Sequence, residues 1–300
     1  LAVATPGLVA GLAEVQKKYG TMTLADVMAP AIKLAREGFG LGSYAARMIE
    51  RMRRHIPAGR FPETARIQFP PDGVLAEPGD ILIQSELADT LTAIAEKGPE
   101  IFYTGEIGQK IVAEVQRRGG IMTTQDLASY RTQVRPPVSG TYRGTEVYSF
   151  PPPSSGGAAL VEMLNILEGY DLAERGAGSS ASLHVIAEAM KLAFADRAVY
   201  LGDPDFVDVP LERLVSKSYA RTLRKQIDPG IFVASPWSWK CSGSVAQVKA
   251  PGLPSDDSGT THLSVTDSLG NVVGITATIN TPYGSGITVP GTGVILNNEM

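Results

Sequence analysis

The chain has 300 residues, 43% of them hydrophobic and 19% charged, enough to bury a sizeable core in one large domain or two interleaved ones. Its formal net charge of −4 argues against nucleic acid or an anionic membrane as the main partner, and no uninterrupted apolar stretch is long enough to span a bilayer. A single cysteine, Cys241, excludes an intramolecular disulfide framework and any multi-cysteine metal site.

The opening run Leu1-Ala2-Val3-Ala4-Thr5-Pro6-Gly7 lacks the charged start of a secretion signal and reads as the middle of a domain running into a helix. Apolar residues at helical spacing predict helices over Leu8–Tyr19 and Leu24–Glu37, with Thr23 capping the second and Gly38 and Gly40 ending it. Arg51, Arg53 and Arg54 fall in a helical pattern and read as a solvated face. Ser85–Lys97 is amphipathic, with Leu87, Leu91, Ile94 and Ala95 on one face and Gly98-Pro99 as its stop; Ile107–Arg117 repeats the pattern before Gly119-Gly120. Two β-like runs, Val138–Tyr142 and Glu146–Phe150, flank Tyr142-Arg143-Gly144. Pro151 to Gly157 fits an anion-binding nest or, more simply, a rigid turn holding the next helix. Helices follow over Gly157–Leu167 and Ser182–Tyr200. From Ile231 to Ser258, prolines, glycines, serines and two tryptophans occur without periodicity, which marks a linker and the main organisational boundary. Beyond it a compact β pattern runs over His262–Asp267 and Asn271–Asn280, joined by a turn through Ser268-Leu269-Gly270.

In the last strand Val273, Ile275, Ala277 and Ile279 share one face, while Thr276, Thr278 and Asn280 share the other with Val272 and Gly274. In the preceding strand Leu263 and Val265 oppose His262, Ser264 and Thr266, and Thr260 has the parity of that polar set. A hairpin here gathers hydroxyls and an amide on one side, opposite an apolar side expected to pack inward. Alternation alone is equally met by a half-buried sheet whose polar face simply meets water.

The linear motifs say more. Gly259-Thr260-Thr261-His262-Leu263-Ser264-Val265, Gly270-Asn271, Thr276-Ala277-Thr278-Ile279-Asn280, Tyr283-Gly284-Ser285 and Leu296-Asn297-Asn298-Glu299-Met300 occur in order at close spacing. Upstream stand Thr5-Pro6-Gly7, Gly119-Gly120 ahead of Asp126-Leu127, Pro151-Pro152-Pro153-Ser154-Ser155-Gly156-Gly157 and Tyr200-Leu201-Gly202-Asp203-Pro204-Asp205-Phe206. Over essentially its whole length the chain resembles the γ-glutamyltransferases, and the ordered set is far more specific than any one motif.

The resemblance implies an α+β fold, the αββα sandwich of an N-terminal-nucleophile hydrolase, with a large helical portion. It implies self-cleavage between Gly259 and Thr260, giving a large-subunit portion over residues 1–259 and the start of a small subunit over 260–300 that stay associated. Thr260 would be the nucleophile, with its own freed α-amine as base. Until the peptide bond breaks that nitrogen is an amide, so processing would switch the enzyme on. By the same resemblance Thr278 would orient the Thr260 hydroxyl, while Asn280 and Glu299 would hold the α-amino group of a γ-glutamyl donor through charge-assisted hydrogen bonds. The implied partners are a γ-glutamyl compound and a water or amino-acid acceptor, without cofactor or metal; the resemblance implies a periplasmic or extracellular setting, while a single cysteine agrees with a cytoplasmic one as well, so the compartment stays open.

The family pattern further calls for an arginine upstream of Leu1 and, downstream of Met300, an aspartate, a serine pair and a glycine pair, so the 300 residues read as a central slice of an enzyme. A glutaryl or cephalosporin acylase would need the Thr260 apparatus but no ammonium-binding carboxylate; an unprocessed binding protein would need no cleavable threonine. Apart from the motif, Glu299 is explained as a surface carboxylate. His262 invites pairing with the nucleophile, but neighbouring strand residues point to opposite faces, which argues for a structural role. His55 and His184 have no ligand-like partners nearby in sequence, and Cys241 shows no sign of activation.

Overall fold

The structure is a computed structural model describing residues 3–71, 73–228 and 260–299. The predicted linker over Ile231–Ser258 with Cys241, and Gly259 of the expected cleavage pair, lie outside the described residues. The described residues fall into two compact units, one made of 3–133 with 260–299 and the other of 134–228. This is a division by spatial proximity. The predicted division at Gly259–Thr260 concerns a covalent bond and is a separate matter.

The first unit begins with helices α1 (Leu8–Tyr19) and α2 (Leu24–Glu37). Thr23 starts α2 through a capping box: its hydroxyl accepts from the Asp26 N–H at 3.1 Å, and its own N–H donates to the Asp26 carboxylate at 3.2 Å. Gly38 ends the helix at φ 87°, where an added Cβ would stand 2.5 Å from an Ile81 methyl. Next come the short strand β1 (Phe39–Gly40), α3 (Ser43–Arg53), α4 (Pro62–Gln68) and β2 (Ile81–Leu82), with β1 and β2 antiparallel. Arg53 does not lie on a solvated face. Half-buried, it donates to the carbonyls of Pro70 at 3.1 Å and Val74 at 2.9 Å, so it fastens the loop after α4.

Helix α5 (Ser85–Lys97) packs along α2, followed by α6 (Glu100–Tyr103), α7 (Glu106–Arg117) and α8 (Thr124–Ser129). Thr123 and Asp126 repeat the capping box of α2 at the start of α8. Ile94, Phe102, Ile111, Val115 and Leu127 form the core with Ile287, Val289 and Leu296 from the far end of the chain. Burying each such side chain contributes about 1.5–3 kcal/mol, which anchors the segment after the last strand more firmly than its lack of regular structure suggests.

The second unit opens with the antiparallel pair β3 (Val138–Tyr142) and β4 (Thr145–Ser149). The Pro151–Gly157 segment is a turn leading into α9 (Gly156–Leu167), and Gly157 sits so close to the Phe150 carbonyl that a Cβ would lie 2.1 Å from its oxygen. After α10 (Leu172–Arg175) comes α11 (Ser180–Tyr200), which starts two residues before the predicted Ser182 because Ser179 is the N-cap, accepting from the Ser182 N–H at 3.1 Å. Helices α12 (Leu211–Leu214) and α13 (Lys217–Arg224) complete the unit. Arg224 donates to the carbonyls of Asn165 and Ile166 at 2.8 and 2.9 Å, satisfying acceptors at the end of α9.

Back in the first unit, β5 (Thr260–Thr266) and β6 (Val272–Thr278) form an antiparallel hairpin. Thirteen helices and three two-stranded sheets among the described residues make the fold α+β. Within the described residues the apolar side of the hairpin is not packed along its whole length. Leu263 is 45% exposed, Val265 58% and Val273 45%, while Ile275, Ala277 and Ile279 are half-buried. Among the described residues no third strand joins the pair and no helix covers the turn end of this face.

Candidate active site

The antiparallel register sets Thr260 opposite Thr278, His262 opposite Thr276, and Ser264 opposite Gly274, all on one face of the hairpin. The Thr260 hydroxyl donates to Thr278 Oγ1 at 3.2 Å, and Thr278 Oγ1 also accepts from the Asn280 N–H at 2.8 Å. With two donors aimed at it, Thr278 Oγ1 acts as the acceptor, and the Thr260 lone pairs point away from that bond.

His262 corrects the argument from strand neighbours. It stands two positions from Thr260, and the strand period is two, so it shares the Thr260 face rather than opposing it. Its Nδ1 lies 2.8 Å from Thr276 Oγ1 and its Nε2 3.0 Å from Ser264 Oγ.

Asn280, two residues past the end of β6, takes the left-handed region at φ 77°, a conformation its short polar side chain tolerates better than most. Thr281 to Glu299 then loop out and return: Ser285 N–H donates to Leu296 O, Leu296 N–H to Ile287 O, and Val289 N–H to Val294 O, each within 2.8–2.9 Å. Buried Thr64 and Thr90 fix this strap by donating to the carbonyls of Gly286 at 2.7 Å and Thr292 at 2.8 Å. The return places Asn298 beside the end of β6, where its carbonyl accepts from Asn280 Nδ2 at 3.3 Å and its Oδ1 from the Thr281 N–H at 3.3 Å. Asn297 clamps the chain start, exchanging two 2.9 Å hydrogen bonds with the Ala4 backbone, and its Oδ1 also accepts from the Glu299 N–H at 3.1 Å. Glu299 is exposed.

Of the four residues expected in the site, Thr260, Thr278 and Asn280 are joined by hydrogen bonds, and Glu299 follows the residue that Asn280 holds. Sequence reasoning assigned no work to Asn297 and Asn298, although the paired asparagines before Glu299 were the available signal. A cleft of about 460 Å³ lies beside Thr260 and Thr261, with a largely apolar wall of Tyr44, Met48, Ile279, Pro282, Tyr283 and Ile295. Burial pushes the Tyr283 hydroxyl up to about 12, so it stays protonated there.

The other histidines hold backbone: His55 Nδ1 lies 3.2 Å from Arg51 O, and His184 Nε2 2.8 Å from Asp228 O. No group of three or more possible metal ligands occurs among the described residues. No helix among them is long and apolar enough to cross a membrane.

The family model described as gamma-glutamyltranspeptidase matches residues 1–300. The chain belongs to this family. It is 44% identical over 300 residues to a glutathione hydrolase proenzyme of Escherichia coli strain K12, a match covering all of this chain and 50% of that protein. It is also 41% identical over 299 residues to an acylase ACY 1 proenzyme of Pseudomonas sp. strain SE83, covering all of this chain and 51% of the relative. The chain thus spans about half the length of the curated relatives it matches. The crystal structure of Helicobacter pylori gamma-glutamyltranspeptidase superposes with a TM-score of 0.72 at 39% identity, over 76% of this chain and 65% of that one. That of a cephalosporin acylase from Bacillus halodurans gives 0.81 at 31% identity, over 99% and 52%. This gamma-glutamyltranspeptidase-family chain therefore has the N-terminal-nucleophile hydrolase fold expected from its motifs.

Proposed function

We propose that the full-length protein is a self-processing amidase that cleaves γ-glutamyl amides such as glutathione and passes the γ-glutamyl group to water, an amino acid or a peptide. The observation that carries this reading is the Thr260–Thr278–Asn280 hydrogen-bonded chain, which holds a threonine hydroxyl at the first residue of a strand. Processing adds the elements of water across the Gly259–Thr260 bond, leaving a carboxylate on Gly259 and an amine on Thr260. That amine has a reference pKa of about 7.7–8.0, so an appreciable fraction is neutral near physiological pH.

In turnover, Thr260 Oγ attacks the donor's γ-carbonyl carbon and its proton passes to the α-amine. The C–N bond breaks, the leaving amine takes the proton, and a γ-glutamyl ester remains on Thr260. Water or an amine acceptor then attacks the ester and returns the hydroxyl. Asn280 and Glu299 are assigned to the donor's α-ammonium, an acyl-side group that a glutaryl donor lacks. The large and small parts stay associated after cleavage, and a periplasmic or extracellular setting follows from the family resemblance.

The test is the full-length Thr260→Ala variant. It should run as one chain on a denaturing gel and release no anilide from a γ-glutamyl anilide, whereas the unaltered protein gives two chains, one starting at Thr260. A new N-terminus at any other residue would sink the assignment. A second reading, a glutaryl acylase with the same nucleophile, is favoured by the 41% identity to the acylase proenzyme; it predicts equal or better turnover of a glutaryl anilide.

A further inference from the structure

The strap that carries Glu299 leaves the core at Leu296, which is fully buried in one cluster with Ile287 and Val289. Glu299 stands three residues further on, and three residues of chain can span about 10 Å, so the burial of Leu296 does not by itself place the carboxylate. Two side chains act on the interval. Asn298 meets Asn280 and Thr281 through bonds of 3.3 Å each, just past the usual range of about 2.7–3.2 Å. Asn297 makes shorter ones. Its Oδ1 accepts from the Ala4 N–H at 2.9 Å, its Nδ2 donates to the Ala4 carbonyl at 2.9 Å, and the same Oδ1 accepts from the Glu299 N–H at 3.1 Å.

The Asn297 carboxamide therefore exchanges both bonds with one residue, as the facing residue of a neighbouring strand would. Ala4 is a firm base for this. Val3 beside it is buried in the same core as Leu296, and the Pro6 carbonyl accepts from the Tyr103 hydroxyl at 2.8 Å, which itself accepts from the Ala10 N–H at 3.0 Å. Through its third bond Asn297 closes a turn over Asn298, so one oxygen links the backbone of Glu299 to that of Ala4. A carboxamide oxygen has two lone pairs for the two N–H groups, and the nitrogen supplies the donor for the Ala4 carbonyl. Ala4 and Asn297 also lie on opposite sides of the expected Gly259–Thr260 cut, so after cleavage these bonds would join the large part to the small one.

We propose that Asn297 is a positioning residue for donor recognition: by tying the Glu299 backbone to Ala4, it holds the small part's recognition carboxylate in a fixed place against the large part. It acts through Glu299 and takes no proton in the reaction. The inference rests on the reading of Glu299 as partner of the donor's ammonium, and its structural half can be measured apart from that reading.

The experiment compares full-length Asn297→Ala, Asn297→Ser, Glu299→Ala and the double variant Asn297→Ala with Glu299→Ala, each on a γ-glutamyl anilide and its glutaryl counterpart. In Asn297→Ala, KM for the γ-glutamyl anilide should rise about 10-fold, the scale of a charge-assisted bond made in poorer geometry. Its kcat should stay within about twofold, because the Thr260–Thr278–Asn280 chain is untouched. The glutaryl anilide has no ammonium and should keep its KM. The double variant should bind no worse than Glu299→Ala alone, as expected of two residues acting as one unit. Asn297→Ser keeps an oxygen for the Glu299 N–H but is too short to reach Ala4; it should match Asn297→Ala, and it carries the test if that variant does not fold. Independently of turnover, adding Asn297→Ala to the Thr260→Ala precursor should quicken amide hydrogen exchange at Ala4 and Glu299 and leave it unchanged at Val289 and Leu296. Wild-type KM with unchanged exchange would overturn the proposal. So would equal KM rises on both donors, a shared fall in kcat, losses that multiply with Glu299→Ala, or an Asn297→Ser variant that behaves as wild type. If Glu299→Ala weakens both donors equally, the reading of Glu299 fails and the recognition role falls with it, while the exchange pattern still decides whether Asn297 ties Glu299 to Ala4.

Discussion

Glu162 sits on α9 at 2% exposure, deep in the second unit, with Oε1 buried and unpaired among the described residues. Burial, then the charge of Asp196 and a hydrogen bond to it, push its carboxyl up to about 9 against the nearby Arg213 cation, and Tyr219 donates to Asp196 Oδ2 at 2.7 Å. The two carboxyls therefore share a proton at neutral pH. In the unfolded chain Glu162 returns to about 4.5 and loses that proton. A raised folded value stabilises fully below the unfolded value and is lost as pH climbs through the folded one. Between pH 4.5 and pH 7 the slope of about 1.4 kcal/mol per unit removes about 3 kcal/mol from wild-type stability. Glu162→Gln keeps an N–H for Asp196 and has no proton to lose. Its stability relative to wild type should rise by about 3 kcal/mol from pH 4.5 to pH 7 and further toward pH 8.5. Urea unfolding followed by far-UV circular dichroism at pH 5, 7 and 8.5 measures this directly. An offset between the two proteins that is constant across the three pH values would refute the shared proton; Asp196→Asn, which removes the repelling charge, should flatten the wild-type slope.

Three further outcomes are expected. Buried Glu114 accepts from Arg117 and Arg118 at 2.6–2.8 Å, and although burial opposes it, these guanidinium bonds hold its carboxyl below the ordinary 4.5. Glu114→Gln should cost about 2–3 kcal/mol at pH 7, and the cost should shrink as pH falls through the lowered folded value, where wild type loses the pH-dependent part of that contribution; equal urea midpoints at pH 7 would contradict this. Gly293 stands at φ 67° with Leu87 backbone nitrogen 2.6 Å from where a Cβ would be, so Gly293→Ala should lose about 2–3 kcal/mol, read as a lowered thermal midpoint. Glu299→Ala should weaken γ-glutamyl donors by about 2–5 kcal/mol in kcat/KM and glutaryl donors hardly at all; equal losses on both would return Glu299 to a structural role.

What was legible in the sequence depended on how local its cause was. Thr23 with Asp26 and Gly38 fix both ends of α2 within a few residues, so its bounds Leu24–Glu37 were readable. The same spacing in Thr123 and Asp126 starts α8, but a helix of 6 residues shows no periodicity to go with its cap. Strand alternation correctly grouped Thr260, His262, Thr276 and Thr278 on one face. Alternation could not say whether the other face is covered, because that depends on what packs there. Arg53 looked like one of three basic residues on a helix, and only the folded loop brings the carbonyls of Pro70 and Val74 to it. The acidic Glu162 carried no mark distinguishing it from a wet helix face, since its burial comes from elements as distant in sequence as α13.

The candidate site joins two elements held by different forces. Thr260 and Thr278 ride on a hairpin joined by backbone and polar side-chain bonds, while Glu299 ends a strap anchored by buried Ile287, Val289 and Leu296. Asn280 is the joint between them, because its N–H donates to Thr278 Oγ1 and its Nδ2 donates to Asn298 O. That position asks for three things together: tolerance of φ 77°, a backbone donor, and a short side-chain donor. Glycine meets the first two but has no amide to reach the strap. Aspartate meets the first two and puts an oxygen where the Asn298 carbonyl needs a hydrogen. Glutamine brings the amide one methylene too far and adopts the left-handed region less readily. Asparagine satisfies all three where these fail, so the residue proposed to greet the substrate's ammonium also spaces Thr260, the proposed nucleophile, from Glu299, the proposed recognition carboxylate.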